Sequence, residues 1–141
     1  MSDPTRFIDN QDGSCTDTQT TLMWTLEDAW QKEAQWYNWD EAKDWADDVN
    51  FKKFCSYQDW RLPTEPEIRT LYNPEEINKD KYEKDIYLET IFPAGSQATL
   101  WLKGDSGHDG TLFDFKDGTT RPLYKSKSGR MSVRLVRGTM V

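Results

Sequence analysis

Short clusters of strand-forming residues, separated by polar turn residues, mark the start of the chain. The clusters lie at residues 7–9, 14–17 and 22–24, and the Asp12-Gly13 pair between the first two is typical of a tight turn. Apolar and β-branched side chains in runs of this length favour strands over helices. The pattern therefore predicts a small β-meander.

A helical pattern follows. Between residues 39 and 49, tryptophan, alanine and valine recur at the spacing of one helix face. Asn38 stands in the cap position, and Glu41, three residues further on, completes a capping box. We expect a helix whose acidic opposite face is solvated, although its carboxylates could also attract a cation.

A second helix is predicted after residue 64. Thr64 is the cap, Glu67 is the third helical residue, and Pro66 falls in the first turn, where its missing N–H costs nothing. Pro74 ends the helix because it disfavours helical geometry at the residue before it. Residues 74–97 are expected to be a long irregular segment with at most one helical turn.

The last third of the chain returns to strand patterns. Aromatic and β-branched residues with partial alternation occupy residues 98–102, 111–115 and 131–136, and Asp117-Gly118 marks a turn after the second run. No internal repeat, low-complexity tract or linker interrupts the sequence. Together these patterns predict an α+β fold in a single domain over residues 1–141.

Composition supports a folded domain with an aromatic interior. The mean hydropathy is −0.92 and 30% of the 141 residues are charged, which alone would favour disorder. Seven Trp, six Tyr and six Phe counter this, because aromatic side chains bury large areas. The sequence contains no apolar run long enough to cross a membrane and no secretory signal pattern, so a cytoplasmic location is expected.

Charge is distributed unevenly along the chain. The formal net charge is −7, yet residues 116–141 carry seven basic side chains against Asp117 alone, a net of +6. This segment is either a basic patch for an anionic ligand or a basic strand pair that docks on an acidic scaffold, and the sequence leaves both open. The acidic total makes nucleic acid and membrane surfaces poor partners.

Residues that could perform catalysis or hold a metal are few. Cys15 and Cys55 lack metal-ligand spacing, and we expect two reduced thiols, although one disulfide is possible. His108 is the single histidine, and no nucleophile motif or second base accompanies it. Asp105 and Asp109 lie in a glycine-containing loop and form a weak calcium candidate.

Two segments carry a family resemblance. They are Asp59-Trp60-Arg61-Leu62-Pro63-Thr64 and Val133-Arg134-Leu135-Val136-Arg137-Gly138. With the start of the chain and Trp101, their order resembles the C-terminal domain family of bacterial collagen-like adhesins (Lcl), which is similar in layout to the formylglycine-generating enzymes. The resemblance spans essentially the whole chain and implies a C-type lectin-like fold.

The resemblance also divides the candidate residues into two groups. Structural roles are expected for Trp24, Trp39, Trp45, Trp60, Arg61, Pro63, Thr64, Glu67, Arg134 and Arg137. Ligand contacts are expected in loops of the C-terminal half, at Trp101, Lys103, Asp105, His108, Asp109, Tyr124, Lys125, Lys127 and Arg130. Trp30 and Trp36 remain without a role.

Three functional hypotheses follow. The first is a non-catalytic binding module that recognises a protein or an anionic glycan, with no cofactor other than the weak calcium candidate. The second is an accessory subunit of a larger cytosolic assembly. The third, an enzyme like the formylglycine-generating group, is disfavoured because those enzymes hold copper with cysteines near the C-terminal end, and this chain has none after Cys55.

Overall fold

The computed structural model describes residues 5–104 and 109–140, and shows an α+β architecture over these ranges. The helices are α1 (Ala29–Glu33), α2 (Trp39–Phe51) and α3 (Glu65–Arg69), with a 3₁₀ turn at Phe54–Ser56. The strands are β1 (Phe7–Asp9), β2 (Ser14–Asp17), β3 (Met23–Thr25), β4 (Asn78–Lys79), β5 (Asp85–Ile86), β6 (Thr99–Trp101), β7 (Asp109–Asp114), β8 (Thr119–Tyr124) and β9 (Val136–Arg137). None of these helices is long and apolar enough to cross a membrane.

The first sheet confirms the predicted β-meander. Its strand order is β1-β2-β3-β9, and all neighbouring pairs are antiparallel. Trp24 pairs with Cys15 on one side and with Val136 on the other. The end of the chain is thereby fixed beside its beginning, which brings the two family segments and the meander into one unit.

The second large sheet has the order β6-β7-β8. Strands β6 and β7 were predicted, but β8 was not, and it pairs with β7 over six residues. Its side chains are largely exposed, so the buried alternation that identifies a strand is missing. Pro122 is tolerated because β8 is an edge strand, where one side of the backbone needs no partner.

The helices match the sequence prediction in part. Helix α2 begins with the expected capping box of Asn38 and Glu41, and α3 with that of Thr64 and Glu67. Helix α3 ends at Arg69, earlier than expected, because the next residues turn to pair with the 87–89 segment. Helix α1 was missed; a capping box between Asp28 and Gln31 starts it.

Two further predictions need correction. Of the predicted strand at 131–136, only its last residue belongs to a strand, β9. The backbone groups of 131–135 instead bond to several different elements, such as Ala29, Thr25 and Trp101, so no continuous ladder forms. The irregular segment 74–97 contains the two-residue hairpin of β4 and β5 in place of a helical turn.

The interior consists of two hydrophobic clusters. One surrounds Trp24 and includes Phe92, Phe113 and Phe115; the other surrounds Trp101 and includes the buried faces of Trp39, Trp45 and Trp60. Five of the seven tryptophans are thus less than 10% exposed. The second cluster lies beneath helix α2 and carries the candidate site.

Candidate binding site

Arg61 and Glu67 tie the first family segment to helix α3 and to the end of the chain. Nη1 and Nη2 of Arg61 donate to the two Glu67 carboxylate oxygens at 2.8 and 2.7 Å, and Nη2 also donates to the Gly138 carbonyl at 2.8 Å. The backbone N–H of Thr64 donates to Glu67 as well. Burial alone would raise the pKa of Glu67, but these hydrogen bonds outweigh it and lower the pKa.

The arginines of the second family segment hold other parts of the scaffold. Arg134 is fully buried, and its Nη1 donates to the carbonyls of Thr25, at 2.8 Å, and Leu26. Arg137 donates hydrogen bonds to both carboxylate oxygens of Asp59, and its guanidinium lies 3.6 Å from the Tyr57 ring centre. Each of these groups joins segments that are far apart in sequence.

A surface groove opens beside this framework, and we call it the Trp39 groove. Its cavity volume is about 220 Å³, and it is lined by Trp39, Lys43, Ala46, Asp47, Trp60, Arg61, Leu62, Lys103 and Gly104. The indole Nε1 of Trp39 donates to the Leu102 carbonyl at 3.1 Å, which fixes the ring. A Cβ added at Gly104 would lie only 2.9 Å from the indole, so glycine allows the chain to pass close to it.

Cationic side chains surround the same indole. The Nζ of Lys125 lies 3.8 Å and that of Lys43 4.8 Å from the Trp39 ring centre. Lys103 is exposed at the rim, and Asp47 is the one carboxylate that lines this cavity. Arg61 is neutralised by Glu67, so the lysines give the groove a local positive charge on an acidic chain. A tryptophan surface with lysines around it suits an anionic group attached to a flat or apolar body.

The structure separates the predicted ligand residues. Lys103 lines the Trp39 groove, Lys125 lies over the Trp39 ring without being one of the residues that line the groove, and Arg130 lines a different cavity. Tyr124 and Lys127 are exposed but line neither of these cavities.

The remaining predicted ligand residues lie elsewhere. Asp109 is exposed at the start of β7, opposite Tyr124. Asp105 and His108 lie outside the described residues.

Trp101 requires a correction as a ligand residue. It is fully buried, its Nε1 donates to the Tyr37 carbonyl at 2.8 Å, and Gly110 lies against its ring. The loop after the tryptophan was predicted to display it, but the residue belongs to β6, whose inward face fills the second core cluster. Trp101 is therefore a core residue that belongs to the same hydrophobic cluster as Trp39.

Sequence reasoning missed two contributors to the groove. Trp39 was assigned to the core alone, although one side of its ring forms the groove floor. Lys43 was not considered; it follows Trp39 by four residues on the predicted helix, which is the spacing that places a side chain above its neighbour. That spacing was the available signal.

The two tryptophans left without a role stack on each other. The ring centres of Trp30 and Trp36 are 4.4 Å apart. The Nζ of Lys81 lies 3.6 Å from the Trp30 ring centre. Because Lys81 lies between β4 and β5 and Trp30 lies in α1, this contact links the β4–β5 hairpin to helix α1.

Metal and thiol chemistry find little support among the described residues. Residues 5–104 and 109–140 contain no group of three Cys, His, Asp or Glu placed to hold a metal ion. Asp105, one of the two residues of the calcium candidate, lies outside these ranges. Both cysteines are free, and burial raises the pKa of Cys15 to about 12 and that of Cys55 to about 11. Neither thiol is poised to act as a nucleophile.

Comparison with known protein families identifies the family of this chain. Residues 13–137 match the Lcl C-terminal domain. No curated protein matches the chain.

Proposed function

Because the chain belongs to the Lcl C-terminal domain family, we propose that it is a non-catalytic binding module that recognises a protein or an anionic glycan. The Trp39 groove is the proposed site. The finer fold assignment, a C-type lectin-like domain, is part of the same proposal and is consistent with the small antiparallel sheets and short helices.

One observation carries the proposal: lysines from three separate segments lie in or beside the Trp39 groove, and the Nζ atoms of Lys43 and Lys125 are 4.8 and 3.8 Å from the indole ring centre. Lys43 comes from helix α2, Lys103 from the segment after β6, and Lys125 from the end of β8. Bringing like charges together costs free energy unless an anion relieves the repulsion. An anionic ligand bound in the groove between Lys43 and Lys103 would therefore reduce the repulsion between these two lysines.

Rigidity favours the same function. The groove wall is fixed by the Arg61–Glu67 pair, and its floor is fixed by the Trp39–Leu102 hydrogen bond. A pre-formed site loses little conformational entropy on binding.

Calorimetric titration with three polymers tests the proposal. Heparin represents an anionic glycan, polyglutamate represents an acidic protein segment, and dextran is the neutral control. We expect heparin or polyglutamate to bind with an affinity that falls as salt is added, and dextran not to bind.

Charge reversal assigns the binding to the groove. Lys103→Glu should weaken binding of the anionic polymer about tenfold or more, since it removes one charge-assisted contact and adds repulsion. Lys84→Glu makes the same charge change at an exposed lysine that lines neither cavity, and should leave the affinity within about twofold. Equal losses in the two variants would contradict the groove as the site.

A further inference from the structure

A second cavity lies over one face of the β6-β7-β8 sheet, and we call it the sheet cleft. Its volume is about 300 Å³, and none of its lining residues lines the Trp39 groove. Its walls are the Asp80–Tyr82 turn and the segment from Gly129 to Met131. The size is at the lower end of small-molecule sites.

The carboxylates in the sheet cleft already have partners. One oxygen of Asp114 accepts from Arg121 at 3.0 Å and the other from the backbone N–H of Lys116 at 2.9 Å. Asp80 accepts from the backbone N–H groups of Tyr82 and Lys84 at 2.8 and 2.9 Å. Arg121 neutralises Asp114, whereas Asp80 keeps its negative charge. With Lys116 and Arg130 the basic side chains that line the cleft still outnumber its carboxylates by one, so the lining is weakly positive.

Arg130 is the basic group that is held in place without a carboxylate. Within the described residues its guanidinium forms no ion pair, and it lies 5.4 Å from the Tyr82 ring centre. Its backbone is fixed, since its carbonyl accepts from the Thr99 hydroxyl at 2.9 Å and its φ is +61°. The guanidinium thus stands over an aromatic ring with its N–H donors available.

Gln97 supplies an independent observation. This residue also lines the sheet cleft and is 3% exposed, and its backbone N–H donates to Asp28 at 2.8 Å. Its side-chain Nε2 is buried and has no hydrogen-bond partner. An unsatisfied buried donor is costly, and an acceptor oxygen placed in the sheet cleft would remove this cost.

We propose that the sheet cleft binds a small organic carboxylate. The Arg130 guanidinium and the Gln97 amide are both donors, and a carboxylate offers two acceptor oxygens and the matching charge. The exposed ring of Tyr82 provides a surface for a flat or apolar body attached to the carboxylate. This site is independent of the Trp39 groove and of the function proposed for it.

Nuclear magnetic resonance titration of the ¹⁵N-labelled protein with sodium benzoate tests this site. Benzamide, which has the same shape without the charge, is the matched ligand control. We expect saturable shifts for benzoate at the Gln97 side-chain amide and at Tyr82 and Gly129. N-acetylphenylalanine represents the C-terminal carboxylate of a peptide. Tighter binding of this compound than of benzoate would identify a peptide C-terminus as the ligand, and tighter binding of benzoate would identify a free small acid. Equal shifts with benzamide, or no saturation with either acid, would overturn the proposal.

Two substitutions assign the donors. Arg130→Gln should weaken benzoate binding about tenfold, whereas Lys127→Gln, an exposed lysine outside the cleft, should change it less than twofold. Gln97→Met removes the unpartnered donor at similar volume, so it should weaken benzoate binding without lowering the denaturation midpoint. Unchanged benzoate affinity in Arg130→Gln or in Gln97→Met would refute the assignment.

Discussion

Arg134 and Arg130 lie four residues apart in the chain, yet their surroundings are opposite. Arg134 is fully buried, binds two backbone carbonyls and lies 4.5 Å from the Phe92 ring centre, with the buried carboxylate of Asp28 nearby. Arg130 is exposed and lies over an aromatic ring without a carboxylate partner among the described residues. The boundary falls at Met131, where the chain enters the core.

The contrast shows that the basic side chains of the C-terminal segment lie in two kinds of surroundings. Beyond residue 131 its arginines bind the scaffold, as Arg134 and Arg137 do. Before that residue Lys125 lies over the Trp39 ring, and Arg130 lines the sheet cleft. The charge of a segment therefore does not reveal the role of its residues, because burial and hydrogen-bond partners decide whether a cation stabilises the fold.

The largest effect is expected for Arg134→Met. The change leaves the Thr25 and Leu26 carbonyls without their donor and removes the cation that attracts the buried Asp28. Because two backbone carbonyls would lose their donor and a buried carboxylate would lose a nearby cation, we expect the free energy of unfolding to fall by about 3 to 5 kcal/mol. Urea denaturation at neutral pH measures this difference in the free energy of unfolding between Arg134→Met and the unmodified protein.

Arg130→Met is the matched control, because the same substitution is made at an exposed arginine. Its free energy of unfolding should stay within about 0.5 kcal/mol of the unmodified protein. If Arg134→Met were equally mild, the contrast between the two arginines would be lost.

Glu67→Gln is expected to have the next largest effect. It weakens the bidentate contact with Arg61 and should cost about 1.5 to 3 kcal/mol at neutral pH, measured by urea denaturation. Glu65→Gln, a neighbouring exposed acid in the same helix, should cost at most about 0.5 kcal/mol.

The same substitution predicts a pH dependence. The pKa of Glu67 is lowered in the folded protein, so the unfolded state binds more protons, and this contribution to stability is lost as pH falls below about 4.5. Asp17, which Arg6 and backbone groups hold, has a lowered pKa as well and adds to the acid sensitivity. Glu67→Gln should therefore lose less stability than the unmodified protein between pH 5 and pH 2. If the loss of stability at low pH were the same in Glu67→Gln as in the unmodified protein, the Arg61–Glu67 pair would not be the cause of the acid sensitivity.

Gly104→Ala is expected to have a moderate effect that bears on the Trp39 groove. The added methyl group would lie 2.9 Å from the indole and must displace it, at a cost of about 1 kcal/mol. Gly129→Ala is the control, since no atom lies within 4 Å of its added methyl group. Thermal unfolding measures the stability of each variant, and titration with heparin measures the affinity of the groove. Equal changes in the two variants would indicate that the groove wall adjusts to the added methyl group without cost.

Much of the fold could be predicted because its signals are local. The capping boxes at Asn38 and Thr64 identify two helix starts, and the Asp12-Gly13 turn identifies the meander. Strand β8 and the segment before β9 could not be predicted. The former has few buried side chains, and the latter bonds to scattered elements rather than to one neighbour. Such features depend on tertiary packing, which short-range patterns do not contain.

The candidate site was less predictable than the fold. Lys103 and Lys125 were singled out, but Trp39, whose groove Lys103 lines and over whose ring Lys125 lies, comes more than sixty residues earlier in the chain and was interpreted as core. Gln97 carried no signal at all, since an unpartnered amide becomes meaningful only when its neighbours are known. Trp101 illustrates the converse error, because a tryptophan next to a loop is as suited to a core as to a surface.

The smallest effect is expected for Lys127→Gln. This variant tests whether binding depends on the position of a positive charge or only on the total charge of the basic segment. Lys127 is exposed and lines neither the Trp39 groove nor the sheet cleft. Its loss should leave the melting temperature unchanged and alter heparin affinity by less than about twofold at physiological salt, because screening limits its reach to about 8 Å. Lys103→Gln, measured in parallel, removes the same charge at the groove rim and should weaken binding more. If both variants lost affinity equally, binding would follow the net charge of the basic segment and not the geometry around Trp39.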